Sequence, residues 1–168
     1  MSKFTGSKAL ISSLSTERQI GSGNHASCYK HPANRNKVLL ETICPARDFL
    51  AARKVPMSRY FPTPRRVGKS AGNIPVYEME KLELITEVVY EKLPPIDKKI
   101  FRLLSGGVKM YNLRSSGVPE PIKKEIKLVV AALRRQGYYV ALDATDFNMM
   151  MSRNKRLVLN DIFWVNEE

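Results

Sequence analysis

Residues 140–164 read VALDATDFNMMMSRNKRLVLNDIFW, and three polar side chains in this stretch decide how the rest of the chain is read. Asp143 follows a short apolar run, Asn148 comes five positions later, and Asp161 thirteen after that. Segments 138–142, 149–151 and 157–159 each have the length and content of a short strand, and Arg153-Asn154-Lys155 offers the turn between the last two. A hairpin there brings all three side chains to one edge. Phosphoryl transfer needs such a set. One carboxylate orients an attacking hydroxyl and accepts its proton, while an amide oxygen and a second carboxylate hold Mg²⁺ against the phosphates of ATP. Alone, an aspartate and an asparagine at this spacing serve equally well as turn caps, so the pattern needs support elsewhere.

Support comes from the flanking order. Ile122, Ile126, Val129, Val130 and Leu133 form one apolar stripe, with Lys123, Lys124, Lys127 and Arg134 on the other face. This predicts a helix from 119–121 to 136, closed by Gly137. Helix, strand, Asp-x₄-Asn, hairpin and Asp is the order of a protein-kinase catalytic loop and metal loop, with Asp143 as base and Asn148 and Asp161 as metal ligands. Far upstream, GSGNHASCYK (21–30) places two glycines between strands, which suits a turn covering phosphates: Gly21, Ser22, Gly23, Asn24, His25 and Ala26. Between the two lies VYEMEKLE (76–83), an apolar strand running into a polar connection. It resembles a kinase hinge, with Met79 as gatekeeper and backbone groups of Glu80 and Leu82 facing the adenine edge.

Strands are expected at 17–20, 26–30 and 37–43, and a helix over 46–54 between Pro45 and Pro56. A half-buried strand follows over 74–81, with Ile74, Val76 and Glu78 on one face. Helices are expected over 82–93 and 96–104, stopped by Pro94-Pro95 and Gly106-Gly107. The order is strands, a helix, more strands, helices and a small strand cluster. That is α+β with segregated lobes: an N-terminal antiparallel sheet, then a helical C-lobe carrying a short catalytic β-hairpin. Residues 1–15 read as a loose tail or short helix, and 16–168 as one domain with an N-lobe to about residue 81 and a C-lobe beyond it.

The 168 residues carry a net charge of +12, and 43% are hydrophobic, enough for a core. Such a surplus attracts anionic partners. Arg53, Lys54, Arg59, Arg65, Arg66 and Lys69 concentrate it locally, with Tyr60 and Phe61 the nearest aromatics for stacking a base. Cys28 and Cys44 read as free thiols of a reducing compartment, and two histidines, His25 and His31, are too few for a zinc site. No apolar run approaches the ~20 residues of a membrane helix, and residues 1–16 hold no signal-peptide core.

With these motifs in place, the chain resembles the early serine/threonine protein kinase family of short-tailed lytic coliphages. GSGNHASCYKHPANRNKV (21–38) is similar to its glycine-loop segment, including Tyr29, the His31-Pro32 turn and Asn36-basic-Val38. LDATDFNMMMS (142–152) resembles its catalytic loop, and LVLNDIF (157–163) its metal loop. The resemblance spans residues 17–165 and implies a host-takeover kinase in the bacterial cytoplasm, using ATP and Mg²⁺ and acting on host proteins, with nucleic-acid-bound machinery as a further contact. The family's basic C-terminal extension, linked to host transcription shut-off, has no counterpart here to carry that activity over. Several positions depart from the pattern. The strand lysine that holds the ATP phosphates falls at Leu40, with Lys30 and Lys37 the nearest cations. Ala141-Leu142 replace His-Arg, Thr145 stands where a Lys or His is usual, and Asp161-Ile162-Phe163 lacks the motif's glycine. Asp48 is the acid available on the short helix. Two other functions therefore stand beside the kinase: a pseudokinase that inhibits a host protein by binding it, and a basic nucleic-acid-binding protein.

Overall fold

Cys28 lies opposite Leu40, and Leu40 opposite Tyr77, in a row of cross-strand pairs through the first part of the chain. The computed structural model describes residues 11, 14–23, 26–53 and 57–167. Contacts divide the chain into two compact units, Met1–Arg53 with Thr63–Lys81, and Lys54–Pro62 with Leu82–Glu168. The expected tail over 1–15 falls mostly outside the described residues, as do Asn24 and His25 of the expected phosphate-covering turn.

The first unit is an antiparallel sheet of β1 (Gln19–Gly23), β2 (Ala26–Lys30), β3 (Lys37–Thr42), β4 (Arg65–Lys69) and β5 (Pro75–Glu80), in the order β1-β2-β3-β5-β4. Helix α1 (Pro45–Ala52) begins on its proline, where a missing N–H costs nothing. The strand expected at 17–20 is displaced. Thr16–Arg18 form a 3₁₀ turn, and β1 runs on through both glycines, pairing Gly21 with Cys28 and Gly23 with Ala26. β4 occupies what read only as a basic cluster. Arg65, Arg66 and Lys69 are exposed and Val67 is buried, the charged pattern of an edge strand. β5 is not half-buried as expected: Val76, Tyr77, Glu78 and Met79 are all buried. One face packs Val76 against Leu39 and Val67. On the other, the Tyr77 hydroxyl donates to Asp48 of α1 at 2.5 Å. Burial, with that hydrogen bond and charge added, holds the Tyr77 phenol well above its ordinary range.

In the second unit the helix expected over 82–93 is broken in two. β6 (Glu83–Leu84) pairs with Met151 and Met150, and α2 (Glu87–Glu91) starts only after Thr86, whose side chain accepts the Val89 N–H. α3 (Pro95–Ser105) and α4 (Glu120–Arg134) follow as expected, and α4 buries Ile122, Ile126, Val129, Val130 and Leu133. Lys123, expected on the solvent face, is buried and donates its ammonium to the Arg114 carbonyl at 2.9 Å. Gly137 takes φ +87°, the left-handed geometry that closes the helix. β7 (Tyr138–Leu142), β8 (Met149–Met151) and β9 (Leu157–Leu159) coincide with the sequence expectation. β10 (Phe163–Glu167) is additional, and pairs with β7. The expected α+β class is therefore the one observed. Among the described residues no helix is long and apolar enough to cross a membrane.

The first unit also buries a carboxylate. Glu78 accepts from Lys37 at 2.7 Å, from Arg65 at 3.0 Å and from His31 Nε2 at 3.0 Å. The His31 Nδ1 accepts the Ala33 N–H, so the ring is the Nε2–H tautomer that can donate to Glu78. Burial pushes the Glu78 carboxyl up, but the hydrogen bonds and charges of Lys37 and Arg65 outweigh it and hold it below its ordinary value. A depressed folded value stabilises the fold above the unfolded carboxyl's range, and the gain is lost as pH falls through the folded value. Glu78→Gln should therefore cost about 1–3 kcal/mol at neutral pH. In urea melts the gap to the wild type should narrow as pH falls below the ordinary carboxylate range, as the wild-type carboxyl protonates too. A gap that stays constant with pH would contradict this account.

Candidate functional site

The three residues picked out by spacing meet in one hydrogen-bonded loop. The Asp143 N–H donates to the Ile162 carbonyl at 2.7 Å, which continues the β7–β10 ladder by one residue. After it, Ala144 is buried and residues Asp146–Asn148 make a 3₁₀ turn, with the Asn148 N–H on the Thr145 carbonyl. That turn brings the Asn148 amide back onto Asp143: Nδ2 donates to the Asp143 carbonyl at 2.8 Å and to its Oδ2 at 3.1 Å. The Asn148 carbonyl in turn accepts the N–H groups of Asn160 and Asp161, both at 3.0 Å. Asp143 is half-buried and Asp161 exposed.

Mg²⁺ takes oxygen ligands, commonly one or two protein groups completed by phosphate oxygens and water. With its Nδ2 committed to Asp143, Asn148 has its amide oxygen left as the atom a cation would meet. The Asp161 carboxylate, tied to Asn148 through the backbone, is the second oxygen donor of the right kind. Among the described residues no group of three or more His, Cys, Asp or Glu could hold a metal ion. A cation at this loop would complete its shell with nucleotide oxygens or water, as the chemistry of the donor set requires.

A residue that the sequence reading passed over holds the hairpin in place. Asp97, in the first turn of α3, is fully buried. Its Oδ2 accepts the Leu157 N–H at 3.0 Å and Arg156 Nε at 2.9 Å. Its Oδ1 accepts the Tyr60 hydroxyl at 3.1 Å and Arg59 Nη2 at 3.3 Å. β9 is thus anchored at its first residue, and β8, paired to it through Met149–Leu159, carries Asn148 at its start. In sequence Asp97 reads as an ordinary acid at a helix N-terminus, and nothing local announces a partner 60 residues away.

The upstream candidates lie in the first unit. β3 alternation places Val38, Leu40 and Thr42 on the face that bears Gly21, Cys28 and Tyr77. Lys37 projects from the opposite face, where it is ion-paired to Glu78, so it is not a stand-in for a lysine at position 40. Lys30 is on Leu40's face, paired with Val38 on the strand that also meets Met79. Met79 is buried at the end of β5, Glu80 is exposed, and Leu82 is half-buried beyond it. The Cys28 thiol is pushed up by burial, which Arg47 and Lys81 oppose.

No protein-family model and no curated protein matches the chain. Among solved structures it is similar to the streptomycin–ATP–APH(2")-IIa ternary complex, at 18% identity and a TM-score of 0.37, over 89% of this chain and 68% of that one. A likeness of that size says nothing of what this chain binds.

Asp97→Ala should leave the Leu157 N–H and the Arg156 guanidinium without their buried acceptor, at a cost of about 2–4 kcal/mol. Hydrogen exchange should show β8 and β9 losing more protection than α4; a uniform loss would mean that Asp97 does not hold the hairpin in particular.

Proposed function

We propose that the chain binds Mg·ATP and transfers the γ-phosphate to a hydroxyl group, as a serine/threonine protein kinase would. The observation that carries the reading is the hydrogen-bonded set Asp143, Asn148 and Asp161. In it, Asn148 fixes the Asp143 carboxylate through its amide and holds Asp161 through its carbonyl. Asp143 would orient the acceptor hydroxyl and take its proton as that oxygen bonds to the γ-phosphorus and ADP departs. Asn148 and Asp161 would hold Mg²⁺, whose charge offsets that of the phosphates. Gly21 to Ala26 would cover the phosphates, and Met79, Glu80 and Leu82 would take the adenine. The resemblance to phage kinases adds that the acceptors are bacterial host proteins met in the host cytoplasm.

One observation favours a second reading. Leu40 occupies the glycine-bearing sheet face at the position where the resemblance calls for a lysine, and a leucine donates nothing to phosphate. A pseudokinase that binds a host protein without transferring phosphate would tolerate this.

Incubation with γ-labelled ATP and Mg²⁺, with and without bacterial lysate, separates the two. The wild type should label itself or a lysate protein, and Asp143→Ala and Asp161→Ala should each lower transfer by about a hundredfold or more. No transfer by the wild type, together with no thermal shift on adding Mg·ATP, would remove the kinase and leave the binding protein.

A further inference from the structure

A strand at the edge of a sheet exposes unpaired backbone donors and acceptors, and the edges of this molecule are protected in different ways. β4 is lined with Arg65, Arg66 and Lys69, and β1 shifts register between Gln19 and Gly21. β6 is only two residues long. On β9 the Leu157 and Leu159 N–H groups are taken by Asp97 and the Tyr60 carbonyl. β10 has none of these devices. It reads FWVNE, with no lysine, arginine or proline, and its Trp164 is 44% exposed.

The register shows which groups β10 leaves open. It forms a two-stranded sheet with β7, and the Asp143 N–H donates to the residue opposite it, Ile162. Bonded and non-bonded pairs alternate along an antiparallel ladder. Ala141–Trp164 and Tyr139–Asn166 therefore exchange bonds, while Phe163, Val165 and Glu167 turn their N–H and C=O groups away from β7. The opposite edge agrees with this phase. The carbonyl of Val140, which faces Val165, points away from β10 and accepts Arg134 Nη2 at 3.3 Å. Arg134 thus covers the outer edge of β7. Among the described residues none is bonded to the outward backbone groups of Phe163, Val165 and Glu167.

We propose that β10 pairs antiparallel with β10 of a second copy of this chain, about a twofold axis at Val165. The strand is complementary to itself in that register. Val165 meets its own counterpart, Phe163 meets Glu167 of the second copy, and Trp164 meets its Asn166. Every outward N–H and C=O of Phe163, Val165 and Glu167 then has a partner. β10 carries no cation, so the twofold sets no like charges opposite each other despite the net charge of +12. A two-stranded sheet is the least stable kind, and the pairing joins two of them into a sheet of four strands. The edge-on pair Tyr139–Trp164, with centroids 5.9 Å apart, recurs from both copies on one face of that sheet.

Sedimentation velocity of the full chain over about two decades of concentration tests this. The wild type should move from monomer toward dimer, and Val165→Pro should stay monomeric. The N–H that proline removes faces away from β7, so the monomer's melting temperature should hardly change. Trp164→Lys, which gives the edge a charge, should raise the dimer dissociation constant about tenfold or more. A wild type that stays monomeric overturns the proposal and leaves the edge to a foreign strand. Val165→Pro dimerising as the wild type does overturns it too, since another face is then in use. Should Val165→Pro not fold, amide exchange on the wild type decides. The Val165 N–H should gain protection as concentration rises, while the Asn166 N–H, already bonded to β7, should not. A Val165 amide that exchanges at the same rate throughout overturns the pairing.

Discussion

Each compact unit is organised around one buried carboxylate to which cations from distant parts of the chain converge. In the second unit it is Asp97, fully buried, with Arg59, Arg156, Tyr60 and the Leu157 N–H around it. In the first it is Glu78, with Lys37, Arg65 and His31. A chain with 28 Lys and Arg against 16 Asp and Glu has cations to spare, so each buried acid can be over-supplied with donors. An ion taken out of water costs several kcal/mol unless its oxygens are fully hydrogen-bonded. Both acids meet that condition, and in doing so they fix the register of what they hold. Asp97 fixes the entry of β9, and Glu78 ties β5 to the starts of β3 and β4.

The loop of Asp143, Asn148 and Asp161 depends on this scaffold at one remove. Its own bonds are short-range: Asn148 to Asp143, Asn160 and Asp161 to the Asn148 carbonyl, Asp143 to Ile162. They close a small ring of backbone that needs two paired strands on either side to stay closed. β7–β10 supplies one side and β8–β9 the other. This locality is also why the loop was legible. All three residues fall within 19 positions, the strands beside them are apolar, and the turn between β8 and β9 carries Asn and Lys, with Lys155 at φ +56°.

What the sequence concealed was long-range or lacked a pattern. Asp97 and its partner Leu157 are 60 residues apart, and neither looks unusual in its own window. β4 hid because three of its five residues are charged, which suits an edge and masks alternation. β6 is two residues long, too short for any period, so the apolar residues around it read as one helix. The burial of Arg47 in α1 is hidden in the same way, because a charged residue in a short helix reads as solvated until its surroundings are known.

The path of the chain between the units has a consequence for inheritance and for dissection. Residues 57–62 interrupt the first unit and belong with the second: Ser58 is held by Glu125, and the Tyr60 carbonyl accepts the Leu159 N–H. The polypeptide therefore passes from one unit to the other three times, near residues 53, 62 and 81. Severing it after Lys81 would not yield two self-sufficient halves, because the N-terminal fragment would carry off a segment that the remainder uses as structure. For the same reason a single breakpoint after Lys81 would carry residues 54–62 along with the first unit.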